Sequence, residues 1–169
     1  MRDPGGSRSR VSDAAATVTR LAPSTQSSMP NGNVIAIVDT GPLYAVADAD
    51  DDDHGACLAV LERADLELVV PALVVAEATW LIGRRLGARA EAAFLRGLEV
   101  LEVEGPTTAD WVAIAALVER YGDFPLGGTD AFVAVLADRL GTDLIVTLDQ
   151  RHFGALRSAS GGSYRVLPS

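Results

Sequence analysis

Four acidic side chains in this sequence could act together on one substrate. Asp39 and Asp149 each follow an apolar run, VIAIV and LIVTL, while Asp130 opens an apolar helical pattern. Glu77 interrupts the stretch LVVAEATWLI, where an unpaired carboxylate is unusual because its burial is costly. Crowded carboxylates repel each other and raise one another's pKa values, and a divalent cation relieves that repulsion. Oxygen ligands without Cys or His favour Mg²⁺ or Mn²⁺ over Zn²⁺, and such sites support hydrolysis of phosphodiester bonds.

Three of these acids also have a purely structural interpretation. Asp39 can cap the helix that follows it, through the amides after it. Asp130 suits a first helical turn because the helix dipole favours a negative charge there. Glu77 can form a salt bridge with Arg84 or Arg85, one or two turns further along its helix. These alternatives stay open for the single residues, and the repetition of the pattern in separated segments is what favours a functional site.

The elements that must position these acids follow an alternating pattern, which predicts an α/β fold with a mainly parallel central sheet. Apolar, β-branched runs without polar alternation predict strands buried on both faces. The predicted strands are Val34–Val38, Leu66–Pro71, Val100–Val103, Leu144–Leu148 and an edge strand Tyr164–Leu167. Right-handed crossovers then bring the carboxyl ends of the strands, where ligands bind in such sheets, to one rim with the acids.

Helical patterns lie between the predicted strands. The predicted helices are Leu43–Ala49, His54–Ala64, Ala72–Leu86, Ala88–Leu98, Ala109–Tyr121, one that Thr129 caps and that carries Asp130, and a short one at His152. Two of them are expected to bury apolar residues at helical spacing. The residues expected to face inward are Leu73, Ala76, Trp80 and Leu81 in one helix, and Trp111, Ile114, Ala115, Leu117 and Val118 in the other.

Other conspicuous residues are assigned structural roles. The run Asp50–Asp53 predicts a solvated loop whose last Asp caps the next helix, and His54 is expected to be a surface residue of that helix. The single Cys57 excludes an internal disulfide and a Cys-rich zinc site. It is expected to pack within a helix, in keeping with a reducing cytoplasm.

Composition separates a tail from one folded domain. Residues 1–33 are rich in Ser, Gly, Pro, Arg and Thr and are predicted to be disordered, with no apolar run long enough for a signal peptide or a membrane span. Met29 offers an alternative translation start. Residues 34–169 are predicted to form the domain. The chain carries a net charge of −9 and no Lys, so its overall field repels nucleic acid, and an RNA-binding role would need metal ions and local Arg.

Four segments together resemble a known family. IVDTGPLYAVAD, VVAEATWL, GGTDAFVAVLADRLG and VTLDQRHFGALR match, in order and spacing, the PIN domain and specifically the VapC toxins of bacterial VapBC toxin–antitoxin pairs. The resemblance covers Val34–Pro168. The four acids of the family fall on Asp39, Glu77, Asp130 and Asp149. Two departures are Gln150, where a basic residue is frequent, and the pair Gly127–Gly128.

The resemblance implies a PIN-like three-layer α/β/α fold and a Mg²⁺-dependent endoribonuclease, with Mn²⁺ as a substitute, that inhibits translation by cleaving tRNA or ribosomal RNA. Asp39 and Asp130 would hold the principal metal, and Glu77 and Asp149 would complete the site. Thr40 and Thr147 match hydroxyl positions that orient carboxylates. A cognate VapB-type antitoxin would inhibit this cytoplasmic enzyme, which is expected to be a homodimer.

Arginines are the candidates for contacts with RNA phosphates, because guanidinium geometry suits phosphate. The candidates are Arg84, Arg85, Arg151 and Arg157. A solvated surface is the alternative interpretation for each of them.

Two other functions remain to be distinguished. A non-catalytic PIN scaffold could bind RNA or protein, but it would be expected to have lost at least one acid. A DNase or a 5′ flap nuclease-like enzyme would need additional helical insertions around the site, and a core of this length leaves little room for them.

Overall fold

The computed structural model describes residues 32–124 and 126–169. The predicted disorder of the tail and the alternative start at Met29 therefore fall almost entirely outside the described residues. The strands are β1 (Val34–Val38), β2 (Leu66–Pro71), β3 (Glu102–Glu104), β4 (Leu144–Val146) and β5 (Arg165–Leu167). The helices are α1 (Thr40–Ala47), α2 (His54–Leu61), α3 (Ala72–Leu86), α4 (Ala88–Gly97), α5 (Thr108–Arg120), α6 (Gly128–Leu140) and α7 (Gln150–Ala155), with a 3₁₀ turn at Leu98–Val100.

Within the described residues, the five strands form one sheet in the order β3-β2-β1-β4-β5. All of its pairings are parallel, with Val38 opposite Val146 at the carboxyl ends of β1 and β4. The chain builds outward from β1 to β2 and β3, and then returns to place β4 on the other side of β1. The prediction of an α/β fold with a parallel sheet is confirmed. The strand order reverses at the neighbouring strands β1 and β4, and such sheets bind ligands outside the carboxyl ends of the strands at this switch point.

Helix α6 is the central helix of the fold. It packs on β1, β2 and β4 and against α3 and α5. Every residue from Ala131 to Ala137 is buried, so the helix is enclosed on all sides rather than on one stripe. Gly141 ends it in a left-handed conformation with φ of 68°, as helix ends commonly do. The amino end of this rigid helix fixes the position of Asp130.

The first helix begins earlier than the sequence indicated. Helix α1 begins at Thr40, not at Leu43, and Pro42 lies inside its first turn. Proline is tolerated there because a first-turn N–H has no partner within the helix. A side chain at Gly41 would meet Cβ of Leu148 at 3.3 Å, so glycine lets the start of α1 approach the segment after β4 closely.

The predicted buried faces of two helices are partly wrong, although Ile114 is buried and Leu73 packs against the core as predicted. Helix α3 buries Val74, Ala78 and Ile82, and its residues Ala76 and Trp80 are exposed. Helix α5 buries Asp110 and Ile114, while Trp111 and Ala115 are exposed. Both helices are apolar around most of their circumference, so spacing alone did not identify the buried side.

Helix α2 begins at His54 as predicted but ends at Leu61, and Cys57 is fully buried in it. Asp53 occupies the predicted cap position, but its side chain does not form the hydrogen bond to the helix amides that a cap requires. His54 is half-buried rather than a surface residue, with Nδ1 2.9 Å from the carbonyl oxygen of Ala45. This contact joins α2 to α1 and lies apart from the acids.

None of the helices in the described ranges is long and apolar enough to cross a membrane.

Candidate active site

An open cleft lies at the carboxyl ends of β1 and β4. It is lined by Asp39, Thr40, Gly41, Glu77, Asp130, Leu148, Asp149, Gln150 and Arg151. The structure thus brings all four predicted acids to one place, from four separated segments. The cleft has a volume of about 600 Å³, many times the ~30 Å³ share of a water molecule, so it has room for hydrated cations and a phosphate group together.

Asp39 is both a helix cap and a cleft residue. Its Oδ1 accepts a hydrogen bond of 2.7 Å from the Thr40 amide, and its Oδ2 accepts one of 2.7 Å from the Thr147 hydroxyl. Its own amide donates to the Val146 carbonyl at 2.9 Å, which extends the β1–β4 ladder by one residue. The structural and functional interpretations of Asp39 are therefore compatible, because the cap fixes the direction in which the carboxylate points.

Thr147 connects the first and fourth acids. Its fully buried hydroxyl donates to Asp39 and accepts a hydrogen bond of 2.9 Å from the Asp149 amide. The strand β4 ends at Val146, earlier than predicted, and Thr147 occupies the turn that follows. The threonine thus orients the Asp39 side chain and the Asp149 backbone at once.

Glu77 is exposed and not buried as its apolar neighbours suggested. Its Oε2 accepts a hydrogen bond of 3.1 Å from the Thr40 hydroxyl. The arginines proposed as structural partners lie over aromatic rings instead, Arg84 over Trp80 and Arg85 over Tyr44, each 5.4 Å from the ring centroid. Because Glu77 points away from the helix face that packs on the core, its carboxylate reaches the cleft without a burial penalty.

Asp130 lies in the first turn of α6, as predicted, but Thr129 is not the cap. The cap position is Gly127, whose amide donates to Asp130 Oδ2 at 3.1 Å. Glycine has no side chain that could accept a hydrogen bond from the first-turn amides. The Asp130 carboxylate therefore forms the side-chain bond of this cap, to the Gly127 amide. From this position Asp130 lines the cleft.

Asp149 is held by a residue that sequence reasoning left unassigned. Its Oδ1 accepts a hydrogen bond of 2.9 Å from the His152 amide, and its Oδ2 lies 2.5 Å from His152 Nδ1. The His152 ring meets Phe124 edge to face, with centroids 4.8 Å apart. A histidine three residues after a strand-end Asp is a signal in the sequence, since that spacing spans one helical turn.

Burial and mutual repulsion raise the pKa values of two acids in the cleft. Burial raises the pKa of Asp39 to about 6, against the hydrogen bonds from Thr147 and Thr40, and the charges of Asp130 and Glu77 add to the rise. Burial also raises the pKa of Asp130; the Gly127 amide and His152 oppose the rise, and Glu77 and Asp149 reinforce it. The cleft therefore disfavours the ionised forms of Asp39 and Asp130, and a bound cation would offset the repulsion between the carboxylates.

The donor set of the cleft suits a hard cation. Among residues 32–124 and 126–169, no three or more His, Cys, Asp or Glu side chains stand together as a ready-made metal cage. Mg²⁺ does not require such a cage, because it keeps several waters and is usually bound through one or two carboxylates. An open cleft whose four carboxylates keep lone pairs for water or a cation fits that chemistry better than it fits Zn²⁺ or Ca²⁺.

The four arginines proposed for RNA contacts lie in different places. Arg151 lines the cleft, with its guanidinium 5.9 Å from the Phe124 ring centroid. Arg157 hydrogen-bonds the carbonyls at the end of α7, including that of Leu156 at 2.8 Å. Arg84 and Arg85 are exposed on α3 but do not line the cleft. Arg151 is thus the best placed of the four to meet a phosphate beside the acids.

Comparison with known proteins gives consistent results. The chain matches the family described as PIN domain over residues 36–157. It is 41% identical to Ribonuclease VapC26 of Mycobacterium tuberculosis (strain ATCC 25618 / H37Rv) over 134 residues, which cover 78% of this chain and 99% of that protein.

Two solved structures share the fold. One is Mycobacterium tuberculosis VapC20, described as a Sarcin-Ricin loop cleaving toxin, with a TM-score of 0.60 and 24% identity over 66% of this chain and 86% of that one. The other is VapBC2 from Rickettsia felis bound to a DNA fragment from its promoter, with a TM-score of 0.60 and 14% identity over 79% and 98%. The predicted PIN-like fold is confirmed.

Proposed function

Since this chain belongs to the PIN-domain family, as a member of its VapC branch, we propose that it is a Mg²⁺-dependent endoribonuclease and the toxin of a type II toxin–antitoxin pair. The observation that carries the proposal is the convergence of Asp39, Glu77, Asp130 and Asp149 in one cleft at the switch point of the sheet. The 41% identity to a ribonuclease over nearly its whole length supports the same reaction class. The substrate would be a structured RNA, either tRNA or ribosomal RNA, in the cytoplasm.

The four acids would hold the metal in this proposal. Asp39 and Asp130 hold the principal ion, and Glu77 and Asp149 complete the site directly or through water. A bound Mg²⁺ or Mn²⁺ ion would supply Lewis acidity for hydrolysis of the phosphodiester bond, leaving a 5′-phosphate and a 3′-hydroxyl. Thr147 and Thr40 fix the directions of the Asp39 and Glu77 carboxylates by the hydrogen bonds that they donate.

Substrate binding must overcome the acidity of the protein. The chain carries a net charge of −9, and a phosphate entering the cleft meets four carboxylates. Arg151 lines the cleft and offers the guanidinium that phosphate recognition favours. Binding of RNA should therefore require the divalent cation as well as Arg151, because neither alone offsets the repulsion.

A cognate VapB-type antitoxin would inhibit the enzyme by supplying a cation of its own. Guanidinium matches carboxylate geometry closely, so an arginine from the antitoxin could enter among the acids in place of the metal. The shared fold with a VapBC structure supports such a partner. We further propose that the toxin is a homodimer, which would bring two acidic sites into one groove.

The central test is RNA cleavage by the purified full-length protein. Cleavage should require Mg²⁺ or Mn²⁺, should stop with EDTA, and should leave 5′-phosphate ends. Asp130→Asn should abolish it, because a neutral amide is a weak ligand for a hard cation. Asp53→Asn, an acid outside the cleft, is the matched control and should cleave as the wild type does. Cleavage that persists in EDTA would overturn the metal-dependent mechanism, and RNA binding without cleavage would favour the scaffold alternative.

The toxin role has its own test in cells. Expression of the chain alone should stop growth, and co-expression with an adjacent antitoxin-like reading frame should restore it. Harmless expression of a protein that cleaves RNA in vitro would contradict the toxin role and leave the ribonuclease assignment intact.

A further inference from the structure

His152 holds the fourth acid of the cleft at two points. Its amide donates to Asp149 Oδ1 at 2.9 Å, and its Nδ1 lies 2.5 Å from Asp149 Oδ2. An ionised carboxylate only accepts hydrogen bonds, so Nδ1 must carry the proton and donate. The two bonds fix both the position and the rotation of the carboxylate.

The two contacts have different consequences. The amide contact alone is an ordinary helix cap for α7, because Asp149 occupies the cap position. The ring contact is not needed for capping, and it prevents the carboxylate from rotating about its last bond. A carboxylate has about four lone-pair positions, so two bonds leave about two for a cation or for water. Those remaining positions are the ones that can serve the cleft, since Asp149 lines it.

Phe124 holds the histidine and its neighbour. Its ring meets His152 edge to face at 4.8 Å and lies 5.9 Å from the guanidinium carbon of Arg151. Arg151 also lines the cleft, and His152 is half-buried. One aromatic ring, in the segment that leads toward the Asp130 helix, thus contacts two residues of α7 that bear on the site, Arg151 and His152.

We propose that His152 is a positioning residue that presents Asp149 to the metal, and that Phe124 holds His152 and Arg151 in register with the cleft. This inference rests on the proposed metal-dependent function. Residues that orient metal ligands from outside typically matter by 10–100-fold in metal affinity or activity when they are replaced. In this scheme His152 positions Asp149 and does not contact the substrate, while its charge also opposes the rise in the pKa of Asp130.

The first test separates the hydrogen bond from the packing of the ring. His152→Phe keeps an aromatic ring against Phe124 and removes the donor, whereas His152→Asn places an amide nitrogen close to the position of Nδ1. We expect His152→Phe to weaken Mn²⁺ binding, measured by electron paramagnetic resonance, by about tenfold or more. His152→Asn should recover most of that loss. Equal affinity in wild type and His152→Phe would overturn the proposal, as would failure of His152→Asn to bind better than His152→Phe.

The second test asks whether His152 works through Asp149. In an Asp149→Asn background, His152→Phe should add little further loss of Mn²⁺ affinity, because the carboxylate it orients is already gone. Independent, additive losses would contradict a positioning role. The same variants are assayed for kcat and KM on an RNA oligonucleotide, where His152→Phe should lower kcat more than it raises KM. A loss confined to KM would also contradict the scheme.

The other histidine of the chain gives the matched control. His54 also lies in the first turn of a short helix and uses Nδ1 in a hydrogen bond, but to the Ala45 carbonyl rather than to an acid of the cleft. His54→Phe should change the melting temperature without changing Mn²⁺ affinity. A wild type that binds Mn²⁺ but cleaves no RNA would refute the proposed function while the affinity series still decides the role of His152. Normal cleavage and Mn²⁺ affinity in His152→Phe would refute the inference alone.

Discussion

Asp39 and Asp110 are almost equally hidden from solvent, yet the pKa values of their carboxyl groups shift in opposite directions. Both lie at the start of a helix, and their exposed fractions are 7% and 6%. Burial raises the pKa of Asp39 to about 6. Burial also acts on Asp110, but hydrogen bonds from Thr107 and the charge of Arg139 outweigh it and hold the pKa of that carboxyl below its usual value.

The surroundings of Asp110 explain the difference. Arg139 forms ion pairs with Asp110 and, at 2.8 Å, with Glu104, and it also donates to the Gly105 carbonyl at 3.3 Å. Thr107 and Asp110 complete a capping box at the start of α5. This cluster, the Arg139 clamp, ties the end of β3 and the start of α5 to the last turn of α6. Asp110 also lies in an outer helix, whereas Asp39 ends a central strand and loses more of its hydration.

Within residues 32–124 and 126–169, no arginine forms an ion pair with Asp39 as Arg139 does with Asp110. Its two oxygens accept hydrogen bonds from an amide and a hydroxyl, which are neutral donors. A buried acid that has its own guanidinium stabilises the fold, while one that has only neutral donors keeps a demand for positive charge. The two acids therefore differ in the partner that each one has, which burial alone does not reveal, and on this ground we interpret Asp110 as structural and Asp39 as a candidate metal ligand.

The largest expected effect comes from removing the negative charge at each of the two positions, Asp39 and Asp110. Asp39→Asn should lower RNA cleavage by orders of magnitude, because the site loses a charged ligand, and should raise stability at pH 7 by relieving buried charge. Asp110→Asn should lower stability by about 2 kcal/mol, since a hydrogen bond to a charged group is lost, with cleavage per folded molecule unchanged. Urea unfolding and an RNA cleavage assay measure both. Lower stability in Asp39→Asn with full cleavage would reverse the comparison.

The pH dependence of stability gives a test of nearly the same size. The pKa of Asp39 rises from 3.8 to about 6, so between those values the folded state binds more protons than the unfolded state. Stability from this group therefore falls as pH increases through the window, and the penalty is complete above it. A rise of about two in pKa corresponds to about 3 kcal/mol.

The measurement compares unfolding of wild type and Asp39→Asn from pH 4 to pH 7. The variant should gain stability relative to wild type as pH increases, because it has no Asp39 charge to accommodate. The difference between the two curves cancels the contributions of acids that do not interact with Asp39, including Asp110 and Asp143, whose pKa values are lowered. Mn²⁺ should reduce the difference at pH 7 by stabilising the wild type. Parallel curves would show that Asp39 carries no such penalty.

Removing the cation of the Arg139 clamp should have the next largest effect. Arg139→Met keeps much of the side-chain volume but leaves Asp110 buried and unpaired, and we expect a loss of about 2 kcal/mol. The full loss for a deeply buried pair is larger, but the Arg139 side chain is 23% exposed. Cleavage per folded molecule should be unchanged.

Arg165→Met is the matched control for that variant. Arg165 also forms an ion pair with an Asp, Asp143, at 2.7 Å, but their side chains are 61% and 50% exposed. Exposed pairs contribute about 0–1 kcal/mol, so this variant should stay close to wild type in urea unfolding. Equal losses in both variants would show that the clamp is no stronger than a surface ion pair.

The sequence predicted the bounds of strands and helices correctly where an apolar run ended at a charged residue or at proline. β1, β2 and α3 have the bounds that were expected, because Asp39 ends the first apolar run and Pro71 separates a strand from a helix. It failed where the pattern was uniform. Helix α3 is apolar on nearly all sides, so the spacing could not show that Glu77 and Trp80 face away from Val74 and Ala78.

The acids of the cleft could be found in the sequence, and the family resemblance marked Thr40 and Thr147 as residues that orient carboxylates, but residue spacing could not show which acid each threonine contacts. Strand ends and helix starts marked the carboxylates, since these positions converge on one rim of a parallel sheet. The partner of Asp110 is Arg139, 29 residues further on, and that of Asp39 is Thr147, 108 residues further on. Only the fold brings such pairs together, so the sequence alone could not tell Asp110 from an ordinary helix cap. His152 could have been assigned from the sequence, because it lies three residues after Asp149.

The smallest expected effect comes from removing the Thr40 hydroxyl, which is a neutral hydrogen-bond donor to the exposed Glu77. Thr40 donates to Glu77 Oε2 at 3.1 Å, and Glu77 is exposed. Thr40→Val removes the hydroxyl while keeping the shape of the side chain. We expect stability to change by less than about 1 kcal/mol, because an exposed carboxylate exchanges the lost bond for water. Cleavage should fall by less than about tenfold, which is less than 1.4 kcal/mol, since Glu77 stays in the cleft but is less well oriented. Thr40→Ser, which restores the hydroxyl, should recover the wild-type rate. A stability loss in Thr40→Val as large as that in Arg139→Met would contradict this prediction. It would show that a neutral donor stabilises an acid of the cleft as much as a guanidinium stabilises Asp110, and the distinction between the cleft and the Arg139 clamp would then fail.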